Sequence, residues 1–409
     1  RKHGAAALSA LASVLLAPSA HAASDYLFVW AMEAPRYPDV TPMMDMGEPH
    51  MAPLRDGERR GRDFLAVFDV RPGPSFGALV TMLPVGEGAM MAHHTSYEEP
   101  PDRRLYANDW LAGRTYVFDL QDPAQPKLAR DFGSVGPYSY PHSFVHLKNG
   151  HTLASFQYAG GYNKGAGGLV EFDAEGAVVR TASGADPADP NIRPYSLAVS
   201  EALDRVVTGS ADMMGAQTSH VAQVWRLSDL KLLRTITLPW GGRYWEDPAT
   251  ESSEPRVLED GKTVVVSTFN CGLFLVKDLA GEAPSLSHVY DLGYRTCEVP
   301  VVVGRYWVQT MQSGHAVVSL DMSDPEHPRE VGRLLMAPDE YPHWLGLEPS
   351  GDRLAITGYG ALATRLRFAH IDRATGKLSA DAAAIDFTRA WPDGFTGAAL
   401  PHGVAFDRP

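Results

Sequence analysis

Four histidines stand at one position of a repeated sequence pattern: His94, His142, His343 and His402. The first three each precede by eleven residues the apolar residue that follows a hairpin turn, and His402 has the same register in the last strand. The chain has only 15 histidines among 409 residues, so this clustering exceeds chance. Imidazole nitrogens are typical ligands of copper, zinc, iron and nickel. The set predicts a transition-metal site, although for any one histidine a hydrogen bond at a strand start is the alternative.

Other residues at or beside this position could assist a metal. His93 adjoins His94, and because side chains alternate along a strand, both can face one pocket only where the strand is irregular; either could be the ligand. In the other repeats the position holds Tyr195, Glu254 and, in the last of them, Cys297 or Glu298. We interpret Glu254 and Glu298 as candidate catalytic residues that could move protons, with structural hydrogen bonding as the alternative for each.

These residues need a scaffold that brings distant segments together, and the repeats predict one. A strand-like phrase that leads into Asp or a polar residue and then a turn occurs seven times, for example at 64–69, 116–119 and 317–321. The Asp positions 69, 119 and 173 are 50 and 54 residues apart, which is typical of a four-stranded propeller blade. Long helical periodicity is absent. The sequence therefore predicts an all-β fold, a seven-bladed β-propeller.

The two ends of the repeat array complement each other. The segment 400–406 reads as an innermost strand without a following hairpin, and 26–31 reads as a strand without an inner partner. Pairing them in one composite blade would close the ring and remove its exposed edges. Because equivalent positions of the innermost strands surround one end of the central channel, we expect the histidines to converge there.

The N-terminus predicts export. Arg1 and Lys2 precede an apolar run over 5–17 and then the small-x-small pattern Ala20-His21-Ala22. This pattern is typical of a secretory signal peptide, here with a truncated front because no Met begins it. We predict a leader over 1–22, a single propeller domain over 23–409, and a periplasmic or secreted protein.

The two cysteines and the overall composition narrow the function further. In an oxidising compartment a sole pair such as Cys271 and Cys297 favours a disulfide, with a thiolate ligand or redox pair as the alternative. The formal net charge is −13 and no basic run is present, so nucleic acid is not an expected partner. No segment is long enough to span a bilayer.

Several phrases resemble the selenium-binding protein and methanethiol oxidase family. The resemblance runs in order from about Tyr26 to the end and is best between Ala92 and Asp173. It is carried by His93-His94, by Pro141-His142, and by the stretches 108–119, 122–128 and 163–170.

This resemblance implies a seven-bladed propeller with a copper centre, in which His93, His94, His142 and His402 match family motifs; His343 is added by register alone. It also implies oxidation of a small thiol by O2 to an aldehyde, sulfide and peroxide. The paired-cysteine motif of the animal members is not visible. The family's Gly-Gly-Asp-Cys ending is replaced by the segment 403–409, which bears on the substrate more than on the metal.

Three functions are consistent with these features. The first is a periplasmic copper oxidase of a small thiol, with zinc or iron as alternative metals. The second is a non-catalytic metal carrier or interaction propeller, because propellers are common scaffolds. The third is a lactonase-like hydrolase with calcium, which nitrogen ligands disfavour because calcium prefers oxygen.

Overall fold

The computed structural model describes residues 23–33, 62–86, 91–213, 219–239, 251–360, 363–392 and 395–409. These residues form β-strands and one short 3₁₀ turn, Glu201–Leu203. The first strands are β1 (Tyr26–Glu33), β2 (Asp63–Asp69), β3 (Leu79–Val85), β4 (Ala92–Thr95), β5 (Arg104–Asp109), β6 (Arg114–Asp119), β7 (Lys127–Phe132), β8 (Tyr138–His146), β9 (Thr152–Ala159), β10 (Ala166–Phe172), β11 (Val178–Ser183), β12 (Pro194–Ser200), β13 (Arg205–Ser210), β14 (Val221–Arg226) and β15 (Lys231–Thr237).

The remaining strands continue the same succession of short segments. They are β16 (Ser252–Val257), β17 (Val264–Thr268), β18 (Gly272–Lys277), β19 (Ser285–Asp291), β20 (Val301–Val303), β21 (Tyr306–Met311), β22 (Ala316–Asp321), β23 (Arg329–Leu335), β24 (Pro342–Leu347), β25 (Arg353–Gly358), β26 (Arg365–Ile371), β27 (Leu378–Asp386), β28 (Thr388–Ala390) and β29 (Thr396–Phe406). Helical structure is almost absent from the described part of the chain.

Hydrogen bonding joins these strands into antiparallel groups of four. The groups are β4 to β7, β8 to β11, β12 to β15, β16 to β19, β20 to β23, β24 to β27, and β29 with β1 to β3. A single bridge between Ser210 and Ser252 connects the third and fourth of these into one eight-stranded sheet, and β28 extends the last. The predicted all-β propeller is confirmed, and the strand pairing gives the seven four-stranded groups that the repeats predict.

The chain ends meet in the composite group. Strand β29 pairs antiparallel with β1, with Phe406 opposite Leu27 and Val404 opposite Val29. Because β1 also pairs with β2, the C-terminal strand becomes the innermost member of a sheet begun by the N-terminal segment. The predicted closure is therefore confirmed, and it leaves neither terminal strand as an open edge.

Burial follows from the stacking of the sheets. Inner strands such as β2, β17 and β21 are buried at every position, because both of their faces pack against neighbouring sheets. Outer strands such as β7 and β23 are largely exposed. In the core between the last sheet and the composite one, Trp344 and Phe368 pack with Phe64 and Phe406. Each such fully buried apolar side chain contributes about 1.5–3 kcal/mol.

The innermost strands of the described part, except β20, share an irregularity in their pairing. The pairing register shifts between Ala92 and Thr95 in β4, Pro141 and Phe144 in β8, Pro194 and Leu197 in β12, Ser252 and Pro255 in β16, and Pro342 and Trp344 in β24; β29 has the same shift opposite β1. A bulge releases residues from the hydrogen-bond ladder and re-aims their side chains. These bulges contain the positions that the sequence register selected, except Cys297 and Glu298, which precede β20.

Within the described residues, no helix has the length and apolar character needed to cross a bilayer. The predicted leader over 1–22 lies outside the described residues. The division into a leader and one domain over 23–409 stays a prediction.

Candidate metal centre

Five histidine side chains meet where four innermost strands are irregular. His93 and His94 lie in the bulge of β4, His142 in that of β8, and His343 in that of β24, while His402 lies in β29. All five are buried, and the most exposed of them, His402, has 6% of its surface accessible. The bulge in β4 is the irregularity that allows both adjacent histidines to face the centre.

The imidazole rings form a continuous arc. His93 stacks on His94 with ring centroids 4.2 Å apart and an interplanar angle of 8°. On one side His94 lies 4.3 Å from His142, and on the other His93 lies 4.6 Å from His402. His343 follows at 4.4 Å from His402. The order around the centre is therefore His142, His94, His93, His402 and His343.

Many nitrogens of these rings have no hydrogen-bond partner although they are buried. They are Nδ1 of His93, Nε2 of His94, His142 and His343, and both ring nitrogens of His402. An unpartnered buried polar atom costs about 1–3 kcal/mol, so a set of them on facing rings needs a compensating ligand. A single bound metal ion would provide a partner for several converging imidazole nitrogens at once.

The electrostatic environment keeps the imidazoles neutral. Burial, followed by the mutual repulsion of the rings, lowers the pKa of His93, His94 and His343 well below the usual value. Burial lowers the pKa of His142 and of His402 to about 3. A neutral imidazole retains a lone pair, which is the form that a metal requires.

Hydrogen bonds fix the orientation of several rings. Nδ1 of His142 donates to the carbonyl oxygen of Tyr195 at 2.9 Å, which leaves Nε2 with its lone pair. Nδ1 of His94 lies 3.2 Å from the Ser143 hydroxyl, and Nδ1 of His343 lies 2.6 Å from the side-chain amide of Gln312. Such outer contacts set ring orientation and tune ligand basicity in metal sites.

Aromatic side chains enclose the arc. Tyr195 lies 3.9 Å from His142, Trp344 lies 4.9 Å from His94, and Tyr359 stacks on His343 at 4.8 Å, all between ring centroids. These walls exclude water from the histidines and lower the local dielectric constant, which strengthens electrostatic interactions within the centre.

Glu254 belongs to a hydrogen-bonded network beside the histidines. Its Oε2 accepts from the Tyr97 hydroxyl at 2.9 Å and from Nη1 of Arg256 at 2.7 Å. The Arg256 guanidinium also lies 3.9 Å from the Tyr97 ring centroid, and the Tyr97 hydroxyl is 3.3 Å from Ser143. Burial and the Glu254 charge raise the pKa of Tyr97, so the phenol stays protonated. The network connects Glu254 with the hydroxyl beside His94 and His142.

Glu298 lies on the other side, next to the disulfide. Its Oε2 is 3.9 Å from Nδ1 of His343. Burial, and then the charge of Glu254, raise the pKa of Glu298 well above the usual value. Cys271 and Cys297 form the predicted disulfide, which links the segment after β17 with the one that leads into β20. The disulfide prediction is confirmed, while the catalytic roles of the two glutamates stay predictions.

The sequence predicted all five histidines of the arc but not the side chains that contact and orient them. Tyr97 and Gln312 lie just after β4 and β21, and Arg256 lies two residues beyond Glu254 in β16; the register selected none of these three positions. Ser143 and Trp344 directly follow His142 and His343 in sequence, so a bulge at these positions was the signal that could have identified them.

Comparisons with known proteins agree with this description. No model of a protein family matches the chain. A methanethiol oxidase from Hyphomicrobium sp is 23% identical over 295 residues, which cover 66% of this chain and 66% of that protein, slightly less than two thirds of its length. A hypothetical selenium-binding protein from Sulfolobus tokodaii has a similar structure, with a TM-score of 0.71, 15% identity and 94% of each chain covered.

A second solved structure has a similar fold, and its name describes a hydrolase rather than an oxidase. The periplasmic gluconolactonase of Pseudomonas aeruginosa superposes with a TM-score of 0.60 and 13% identity. The superposition covers 94% of this chain and 100% of the gluconolactonase. At such identities the structural likeness shows the propeller fold alone. The resemblance to the selenium-binding protein and methanethiol oxidase family, predicted from the motifs, is confirmed by the sequence match to a methanethiol oxidase, and the solved selenium-binding protein agrees with it in fold.

Proposed function

We propose that the chain is an exported, metal-dependent oxidase of a small thiol, with copper held by the histidine arc. The observation that carries the proposal is the set of buried, neutral imidazoles with unpartnered nitrogens on facing rings. The similarity to a methanethiol oxidase supports methanethiol as the first substrate to test.

The donor set fits the metal by its chemistry. Imidazole nitrogen suits copper, zinc and iron, whereas calcium requires several oxygen ligands. Copper, when bound, would supply a site for the thiolate sulfur and a route for electrons to dioxygen. His93, His94, His142, His343 and His402 are the residues that would hold it.

The reaction has a simple balance. The thiol carbon loses two electrons and becomes an aldehyde, whose oxygen comes from water, and the sulfur leaves as sulfide. Dioxygen gains the two electrons and two protons and becomes peroxide. The chemistry therefore needs groups that hold and deliver protons near the thiol.

Two parts of the chain can handle these protons. Burial raises the pKa of Glu298 well above its usual value, and its Oε2 lies 3.9 Å from Nδ1 of His343. Tyr97 donates to Glu254, and its hydroxyl reaches Ser143 beside the histidines. A positioned acid or base of this kind contributes typically about 10²–10⁴-fold to a rate.

Oxygen uptake tests the proposed activity. Protein purified without a metal-binding tag and reconstituted with copper should consume O2 on addition of methanethiol, and His402→Ala should abolish the uptake and lower the copper content. His370→Ala is the matched control, because His370 is 45% exposed on β26 and pairs with Asp381. Bound copper without turnover of any small thiol would reject the oxidase and favour a metal carrier.

Elemental analysis distinguishes a hydrolase from the oxidase and from the metal carrier. The likeness to a gluconolactonase makes this comparison necessary. A content of calcium without any transition metal, together with hydrolysis of a lactone, would replace the oxidase proposal.

Export has its own support and its own test. The apolar run over 5–17 and the disulfide between Cys271 and Cys297 both suit an oxidising compartment. Mass spectrometry of the protein from a periplasmic extract should find a chain beginning near Ala23. Recovery of the leader-bearing chain in the cytoplasm would contradict export.

A further inference from the structure

The histidine arc contains two sets of donors rather than one. The ligand atoms of His93, His343 and His402 lie within 4.8 Å of one another, and so do those of His93, His94 and His142. Among the described residues, the five donors thus form two triplets that share His93 and do not form a single set of five.

Coordination geometry explains why this division matters. Two nitrogens that bind one ion at about 2.0–2.1 Å cannot be more than about 4.2 Å apart. Each triplet is close to this limit, so small side-chain adjustments would bring its three nitrogens onto one ion. The two histidines that flank His93 are further apart, because the ring centroids of His94 and His402 are separated by 6.1 Å.

His93 is placed to serve both triplets. Its ring lies 4.2 Å from His94 and 5.1 Å from His142 on one side, and 4.6 Å from His402 on the other. An imidazole that has lost its N–H proton has a lone pair on each of its two ring nitrogens, so a central histidine in this form can bind two ions, and the proton is released to solvent when the second ion binds. No other member of the arc belongs to both triplets.

Unpartnered nitrogens are present on both sides of His93. The first triplet has Nε2 of His343 and both nitrogens of His402, and the second has Nε2 of His94 and of His142. One ion bound in either triplet would leave the buried nitrogens of the other without a partner, at a cost of about 1–3 kcal/mol for each.

We infer that the histidine centre binds two transition-metal ions side by side, one in each triplet, with His93 shared between them. This inference deepens the proposed function and rests on its premise that the histidines hold a metal. Two such ions would together supply the two electrons that reduce dioxygen to peroxide, with the thiol as the electron source. The two-ion site also explains why the arc has five histidines when one ion needs three or four.

Metal stoichiometry tests the inference without any activity measurement. The full chain, titrated with Cu(I) against a chromophoric chelator and checked by elemental analysis, should bind two equivalents. His343→Ala and His94→Ala should each retain one equivalent, because each removes a donor from a different triplet. His370→Ala should retain two. Thermal unfolding of each apo variant checks that the fold is intact.

Spectroscopy gives a second readout. In the Cu(II) form of the unmodified chain, two neighbouring ions should couple, so the integrated electron paramagnetic resonance signal should fall well below two spins. His343→Ala and His94→Ala should each restore an uncoupled signal of about one spin.

The outcomes separate the two proposals. Saturation of the unmodified chain at one equivalent, with loss of that ion in both His343→Ala and His94→Ala, overturns the two-ion site and leaves the proposed function in place. Two equivalents retained in both variants also overturn it, because the triplets would not be the sites. No copper binding by the unmodified chain rejects the proposed function itself.

Discussion

The ring of innermost strands has two halves with the same backbone and different chemistry. In the nitrogen half, β24, β29, β4 and β8 supply the histidine arc. In the acid half, β12, β16 and the segment before β20 supply Tyr195, Glu254 and Glu298 at the corresponding position. The bulges of β12 and β16 correspond to those of β4 and β8. The repeat therefore fixes where a side chain points, and the residue type alone decides what it does there.

The halves differ in how their polar atoms are satisfied. The nitrogen half leaves a ligand nitrogen without a partner on every ring of the arc. In the acid half, Tyr97 and Arg256 donate to Oε2 of Glu254, although its Oε1 has no partner, and the carbonyl oxygen of Tyr195 accepts from His142. The first arrangement is suited to binding an ion and the second to holding charge and protons beside it.

The largest expected effect comes from removing a donor of the nitrogen half. His142→Ala should lose metal from its triplet and reduce thiol-dependent O2 uptake by at least about 1,000-fold, because a bound metal supplies several kcal/mol of transition-state stabilisation. Elemental analysis and oxygen electrode measurements check both. Tyr195→Phe, which keeps the carbonyl that orients His142, is the matched control and should retain the metal. Equal losses in the two variants would erase the distinction between the halves.

The contrast also shows what the sequence could predict. A repeat period of about 50 residues and the strand register selected four of the five histidines of the arc, and His93 was added as the neighbour of His94. In the acid half they selected Tyr195 and Glu254, and left the third position open between Cys297 and Glu298. The period and the register depend only on the order of strands, turns and apolar residues, which local composition determines. Tyr97 and Arg256 could not be placed in the same way, because their contact joins residues of different sheets and depends on side-chain packing.

The pair of His93 and His94 was predictable only in part. Strict alternation would have sent one of the two rings away from the centre. The bulge in β4 that turns both inward is a property of the pairing with β5, where Ala92 and Thr95 are opposite Asp109 and Ala107. A single sequence does not specify where a ladder skips residues, so the stacking of the two rings had to come from the structure.

The next largest effect tests the acid half. Glu254→Gln should leave the buried Arg256 without its counter-charge and lower the free energy of unfolding by about 3–5 kcal/mol, while the metal content stays unchanged. Urea denaturation measures the loss. The double variant Glu254→Gln with Arg256→Met removes both charges and should recover a large part of it. Loss of metal in a folded Glu254→Gln protein would make Glu254 part of the metal centre instead.

Removing the disulfide should have an effect of about 3 kcal/mol. The Cys271–Cys297 bond closes a sequence separation of 26 residues, and opening such a loop increases the entropy of the unfolded chain. The double variant Cys271→Ala with Cys297→Ala should unfold at lower guanidinium concentration and keep its copper. Loss of copper from the folded variant would show that the disulfide is needed for the histidine arc to bind metal, and would contradict the separation of the two halves.

The smallest expected effect concerns Glu99, in the turn that connects β4 with β5. Its carboxylate accepts a hydrogen bond from the backbone of Arg408, and burial raises its pKa to about 7. A raised pKa means that the folded chain binds the proton more tightly than the unfolded chain, so the stabilising contribution is present at low pH and is lost as the pH rises from about 5 to 7. Over this window the loss should be about 2 kcal/mol, and Glu99→Gln should abolish it. Urea midpoints at both pH values measure the difference. Because Glu99 and the histidines of β4 belong to one hairpin, an unchanged copper content in Glu99→Gln would show that the hairpin's bulge, rather than its turn, holds the nitrogen half in place.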